Sequence, residues 1–329
     1  MKILIKGDPA RYERYSPGLE IQKTSQILFL PRNADEETVM KNGSDAEVLF
    51  VDAISPVSGS LIRRMTNLKL IHSEGVAFDA IDTETARDCG VYVCNNKGAN
   101  ADAVAEQTIF LMLALLRSGI AGDAAVRSGR QIEMKEKRMV EGITELGDCT
   151  VGLIGLGDIG MAVAKRLLSF GCRLCYYSPH RKSPEIESAY SLTYLPLNKL
   201  AAVSDLVSLH ASVTAESRGM IDERFLSRMK RSAYLINTAR GDLVDNLALR
   251  AALIQGLIAG AGLDTVSPEP VTADNPLVDL PESCRDKVIF SPHLGGITTG
   301  SFRRMHRTLW ENAARISRGE KPVNIVNGL

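Results

Sequence analysis

Arg240, Glu269 and His293 each follow an apolar run of strand type. The three segments are Leu235-Ile236-Asn237-Thr238-Ala239-Arg240, Leu263-Asp264-Thr265-Val266-Ser267-Pro268-Glu269 and Ile289-Phe290-Ser291-Pro292-His293. A guanidinium offers a planar fork that grips a carboxylate and an adjacent carbonyl oxygen. An imidazole exchanges a proton near neutral pH, and a neighbouring carboxylate favours the charged ring. Taken singly, each residue has an ordinary reading: Glu269 as a turn residue before Pro270, Arg240 as a salt-bridge partner at a helix N-terminus or between domains. In open α/β sheets, reacting groups sit in loops at the carboxyl ends of strands. An Arg, a Glu and a His at successive strand ends therefore point to proton transfer on a carbonyl compound that carries a carboxylate.

A second motif supplies a redox partner. Gly155-Leu156-Gly157-Asp158-Ile159-Gly160 fits G-x-G-x-x-G. Alone the pattern is weak, but here a continuous apolar strand precedes it and an amphipathic helix follows, closed by Gly171 before another strand. That is the βαβ unit a dinucleotide site needs. Gly155 permits the tight turn, Gly157 lets the backbone approach a pyrophosphate and Gly160 lets helix pack on strand. The helix N-terminus offers unpaired N–H groups to the phosphates. An NAD site carries Asp or Glu about twenty residues past the fingerprint. Here Ser178 stands there, followed by Pro179-His180-Arg181-Lys182. A hydroxyl and two cations suit a 2′-phosphate, so NADP(H) is the preferred cofactor and NAD(H) a possible one.

The elements that must position these groups alternate along the chain. Residues 2–5, 26–30, 46–51, 68–72 and 91–94 read as short apolar strands, with helices at 36–41, 60–65 and 81–88. After a turn-rich break at 95–100, a single long helix is expected over 101–128, serving as domain connector and dimer element. A second block has strands at 149–154, 174–177, 206–210, 233–236, 259–263 and 288–290, and helices at 159–170 and 247–255. A C-terminal helix over 299–318 and an extended piece at 322–326 close the chain. Alternation of this kind gives parallel sheets covered on both faces. The expected fold is α/β with two doubly wound domains: a flavodoxin-like substrate domain, 1–100 with 298–329, and a Rossmann-type dinucleotide-binding domain, 101–297.

Composition narrows the class. The chain has 329 residues, 39 basic and 39 acidic, with 45% hydrophobic residues. Zero formal charge argues against nucleic-acid or anionic-membrane partners, which need an excess of Lys and Arg. The N-terminal apolar run is too short for a signal peptide, and the run 109–116 is too short to span a bilayer. A cytoplasmic protein is expected. Among six cysteines, Cys172 and Cys175 have redox-pair spacing. Their context reads as a strand start, where residues three apart face opposite ways, so packed thiols are expected. No Cys/His cluster has metal-site spacing. His72, His210, His306 and Trp310 read as packed residues, and His180 as a neighbour of the adenosine end of the cofactor.

These segments together resemble the D-isomer-specific 2-hydroxyacid dehydrogenase family over most of the chain. The carriers are Gly155–Gly160, the Asn-Thr-Ala-Arg-Gly run at 237–241, and the segments 263–270 and 291–296. Gly75-Val76-Ala77-Phe78-Asp79 is similar to the family's substrate-carboxylate loop, and 95–106 to its interdomain hinge. The resemblance implies that Arg240 binds substrate, that His293 is the acid/base and that Glu269 pairs with it. It implies substrate contacts at Val76 and Ala77, and cofactor contacts at Asp158, Ile159, Thr214, Thr238, Asp264 and Gly296 besides the fingerprint glycines, Ser178 and Arg181. It also implies a homodimer. Three positions depart from the family pattern: Ala77 for a common Gly, Ser212 for a common Pro, and Ser178 for the usual acid. No C-terminal regulatory domain is expected. The function implied is reduction of a small 2-keto acid such as glyoxylate or hydroxypyruvate. Phosphoglycerate oxidation and a dinucleotide-sensing regulatory protein are the alternatives, the latter distinguished by lack of turnover.

Overall fold

Short apolar runs separated by amphipathic segments fold as parallel strands and covering helices. The computed structural model describes residues 1–329. The chain divides into two compact units, Met1–Asn100 with Ile297–Leu329, and Ala101–Gly296.

In the first unit, β1 (Lys2–Lys6), β2 (Gln26–Leu30), β3 (Val48–Val51), β4 (Leu70–Ser73) and β5 (Tyr92–Cys94) form a parallel sheet in the order β2-β1-β3-β4-β5. This is the flavodoxin-like order, whose ligand crevice lies at the carboxyl ends of the strands. Both faces are buried, so β3 is apolar throughout rather than alternating. Helix Thr299–Ser317 returns to this unit and packs Leu309, Trp310, Ala313 and Ile316 against Ile3, Ile5 and Phe50. The Trp310 ring meets Phe50 edge-on at 5.1 Å.

In the second unit, β6 (Thr150–Ile154), β7 (Arg173–Tyr177), β8 (Leu192–Tyr194), β9 (Leu206–Leu209), β10 (Tyr234–Asn237), β11 (Gly260–Leu263) and β12 (Val288–Phe290) form a parallel sheet. Its order is β12-β11-β10-β9-β6-β7-β8. The order reverses between β6 and β9, the switch point of a Rossmann sheet. Helices Ala101–Leu116 and Asp158–Phe170 cover one face. Cys172 lies in the core on that face and Cys175 in the core on the other. Burial pushes the Cys172 thiol up to about 11 and raises that of Cys175. They are packed thiols.

The long helix expected over 101–128 is two helices. Ala101–Leu116 ends and Gly119–Arg127 begins after a bend of 57°. Ser118, with φ 50°, sits in the left-handed region and breaks the hydrogen-bond ladder. A further helix, Gln131–Glu141, follows with no buried residue. No single helix is long and apolar enough to cross a membrane. The extended piece at 322–326 is no strand; it makes one isolated antiparallel bridge, Cys94 to Ile325.

Candidate active site

β10, β11 and β12 are neighbours, so the loops that follow them lie side by side. After β10, Asn237 brackets the turn: its Oδ1 accepts from Ala239 N at 3.0 Å and its Nδ2 donates to the Arg240 carbonyl at 2.9 Å. Gly241 then passes so close to the next loop that a Cβ would lie 2.1 Å from Ser267 N. Only glycine allows that approach. Arg240 is exposed, donates from Nη1 to the Ala239 carbonyl at 2.8 Å and makes no ion pair with any acid of the chain.

After β11, Asp264 is buried at 3% exposure and organises the loop after β12. Its Oδ1 accepts from Leu294 N at 2.9 Å and from the Ser291 hydroxyl, and its Oδ2 from Gly295 N at 2.8 Å. Gln107 donates to Ser291 Oγ at 2.9 Å. Within this bracket His293 takes φ 55°, a conformation uncommon for a side-chain-bearing residue. Its N–H is fixed to the Asp264 carbonyl at 2.9 Å. The imidazole Nδ1 then stands 3.0 Å from both Glu269 Oε1 and Oε2. A carboxylate accepts only, so Nδ1 carries the hydrogen and Nε2 faces outward. Glu269 and His293 are in direct contact; Arg240 is brought near by its strand and bonds to neither. Asp264, expected as a cofactor contact, has both oxygens engaged by the 291–295 loop.

The fingerprint turn fits a dinucleotide. Gly155 has φ 93°, and a Cβ there would lie 2.6 Å from the His210 carbonyl carbon. A Cβ on Gly160 would lie 2.3 Å from Gly155 O, so helix and turn touch. Around Gly157, the N-cap of helix Asp158–Phe170, a Cβ would meet nothing within 4 Å, which leaves room above the helix N-terminus. Asp158 and Ile159 are the first helical residues, where N–H groups lack intrahelical partners.

Beyond β7, Ser178 leaves the strand end without an acid. Arg181 is held by Glu187, through Nε to Oε1 and Nη2 to Oε2, each at 2.8 Å. Its guanidinium lies 5.3 Å from the Tyr194 ring centroid. The bonds from Arg181 and from the Tyr176 hydroxyl lower the Glu187 carboxyl to about 2. Glu187 was not legible as a site residue, because Arg181 lies in a loop and Glu187 on the following helix Pro184–Ala189, so no periodic face relates them. Thr238 turns its hydroxyl to Thr108 Oγ1 at 2.8 Å and is buried. Thr214 closes a turn with Ser217 at 2.7 Å after β9, and Gly296 ends the loop after His293.

In the first unit, Val76 and Ala77 follow β4. The Val76 carbonyl accepts from Asn95 Nδ2 and the Ala77 carbonyl from Ser73 Oγ, each at 2.6 Å. The N–H groups of Val76 and Ala77 have no acceptor within the protein. His72 and His210 are packed residues, and burial lowers them to about 4 and about 3.

The family model of the D-isomer specific 2-hydroxyacid dehydrogenase NAD binding domain matches residues 109–295. A glyoxylate reductase of Thermofilum pendens is 35% identical over 315 residues, covering 94% of this chain and 91% of the relative. A hydroxypyruvate reductase of Thermotoga maritima is 33% identical over 288 residues, covering 87% of this chain and 88% of the relative. Among solved structures, an acyclic imino acid reductase in complex with NADPH and D-Arg superposes with TM-score 0.83 at 26% identity, covering 99% of this chain and 100% of that one.

The fold and the strand-end loops thus define a two-unit α/β oxidoreductase that uses a nicotinamide dinucleotide. The chain belongs to the D-isomer specific 2-hydroxyacid dehydrogenase family.

Proposed function

We propose that the protein reduces glyoxylate and hydroxypyruvate to their 2-hydroxy acids, with NADPH as preferred cofactor. The observation that carries this reading is the His293–Glu269 pair at 3.0 Å, at the strand end next but one to an Arg240 that no acid neutralises. Relatives named for glyoxylate and hydroxypyruvate reduction support the substrate class.

The bound nicotinamide supplies the hydride. Arg240 grips the substrate carboxylate and polarises the carbonyl. The free N–H groups of Val76 and Ala77 offer a carboxylate two further donors. His293 donates the Nε2 proton to the carbonyl oxygen. Glu269 fixes the ring through Nδ1 and offsets its positive charge. Reduction begins with the protonated ring and oxidation with the neutral one. Asp264 acts through the loop it holds. Met1–Asn100 with the C-terminal helix forms the substrate domain, and the other unit the dinucleotide domain.

Ser178 and Arg181 support the NADPH preference. Glu187 uses Nε and Nη2 of Arg181 and leaves Nη1 to donate to a 2′-phosphate, with Lys182 as an outer charge. The reading includes a homodimer in the cytoplasm. Helix Gln131–Glu141 exposes Met139 at 74% and Val140 at 88%, apolar surface that a second copy would cover. The test is a panel of 2-keto acids with NADH and NADPH, followed by cofactor absorbance. Glyoxylate and hydroxypyruvate with NADPH should give the highest kcat/KM. Cofactor binding without turnover of any keto acid would instead mark a dinucleotide sensor.

A further inference from the structure

Glu74 stands immediately before the Gly75–Ala77 loop and is buried at 4% exposure. A buried carboxylate costs several kcal/mol in desolvation, and apolar residues hold a sheet at least as well. Here it is satisfied from two directions. Its Oε2 accepts from Arg11 Nη2, on helix Pro9–Arg14 after β1. Its Oε1 lies 2.9 Å from His306 Nε2, on helix Thr299–Ser317. Arg11 also reaches Asp52, at the end of β3, at 3.3 Å. The carboxylate thus joins elements from both ends of the chain at one point beside the loop.

The backbone at that point is pinned as well. Glu74 N donates to the Val51 carbonyl at 2.7 Å, and Asn96 Nδ2 donates to the Glu74 carbonyl at 2.8 Å. Asn96 N donates to the Gly75 carbonyl at 2.9 Å. With Val76 and Ala77 bonded as described, every carbonyl from Glu74 to Ala77 is used. What the loop has left to offer is the two N–H groups of Val76 and Ala77.

We propose that Glu74, clamped between Arg11 and His306, is the positioning residue that sets the Val76 and Ala77 N–H groups for the substrate carboxylate. This rests on the reading that the loop binds that carboxylate. Glu74 touches no substrate. Its two clamps fix the start of the loop, so the loop is already shaped when substrate arrives and less ordering is needed on binding. The Arg11 guanidinium also offsets a negative charge that would otherwise repel the incoming anion.

The test is Glu74→Gln in the full-length enzyme. Loss of one charge-assisted bond should raise KM for glyoxylate and hydroxypyruvate by roughly 10–100-fold. Saturated kcat and NADPH affinity should stay near wild type. A merely structural role would lower Tm and leave KM unmoved. Amide NMR signals of Val76 and Ala77 are followed during titration with oxamate, an unreactive keto-acid mimic. Wild-type signals should shift, and Glu74→Gln should need more oxamate. Signals that stay still in the wild type sink both the carboxylate loop and this inference. Signals that shift at equal oxamate in both proteins, with equal KM, overturn the role of Glu74 alone. If Glu74→Gln does not fold, His306→Phe removes one clamp and leaves the Arg11 pair. A raised KM for that variant supports the proposal, and an unchanged KM overturns it.

Discussion

Glu269 presents both carboxylate oxygens to His293 Nδ1 at equal distance, 3.0 Å. The ring is thereby fixed in one tautomer, with Nε2 outward. The pair is half-exposed, at 47% for each side chain, so its effect is partly screened by solvent. Glu269→Gln keeps an acceptor for Nδ1–H and removes the charge. In this variant kcat/KM for glyoxylate should fall, because Glu269 no longer offers a charge to the ring that donates the proton. The measurement is kcat/KM for glyoxylate in the two proteins, and equal values would deny Glu269 any electrostatic part.

Arg240→Lys should reduce keto acid turnover even though the charge is kept. An ammonium cannot make two parallel N–H bonds to a carboxylate and a carbonyl oxygen. Loss of one charge-assisted bond, about 1.5–3 kcal/mol, lowers kcat/KM by roughly 10–100-fold. NADPH affinity should hardly change. A fall in cofactor affinity instead would assign Arg240 to the dinucleotide site.

Ser178→Asp combined with Arg181→Ala should turn the cofactor preference toward NADH. An acid there repels the 2′-phosphate, and the free Nη1 donor is gone. The change should appear mainly in cofactor KM, since the 2′-phosphate is remote from the reacting atoms. Salt should weaken NADPH binding more than NADH binding in the wild type, because Arg181 is exposed. Tighter binding of NADH than NADPH by the unmodified protein at low salt would defeat this reading of the loop.

His72 makes stability depend on pH. Burial lowers its pKa to about 4 from an ordinary 6.5, and Nδ1 lies 2.8 Å from the Ser73 carbonyl. Above pH 6.5 the ring is neutral in both folded and unfolded chains and the stability is full. As pH falls from 6.5 to 4, the unfolded chain takes up the proton first and stability declines, by up to about 1.4 kcal/mol per pH unit. Urea unfolding of the wild type and His72→Asn across this range should give a shallower slope in the variant. Equal slopes would mean that His72 protonates equally in both states.

The strand-end chemistry and the fingerprint were legible because both are local. An apolar run names the strand, and the polar residues just after it name the loop. Three features were not. The chain turns at Ser118 by adopting a left-handed φ; the Ser118-Gly119 dipeptide is a turn signal, but the apolar pattern runs on past it. Helix Gln131–Glu141 has few apolar residues and buries none of them, so it does not read as an element that covers a sheet. β8 is the run Leu192-Thr193-Tyr194, whose polar centre breaks the apolar run that marks the equally short β5 and β12. Contacts between distant residues were equally hidden: Glu74 meets Arg11 63 residues away and His306 232 residues away, and neither spacing carries information in one sequence.

The proposed reduction depends on His293 as proton donor. The most direct measurement is NADPH oxidation on mixing with glyoxylate, followed for the wild type and for His293→Ala, with NADPH binding titrated in parallel. The wild type should turn over steadily. His293→Ala should bind NADPH normally and lose about 10²–10⁴-fold in rate, the usual cost of removing a general acid. Wild-type-like turnover in His293→Ala would contradict the account.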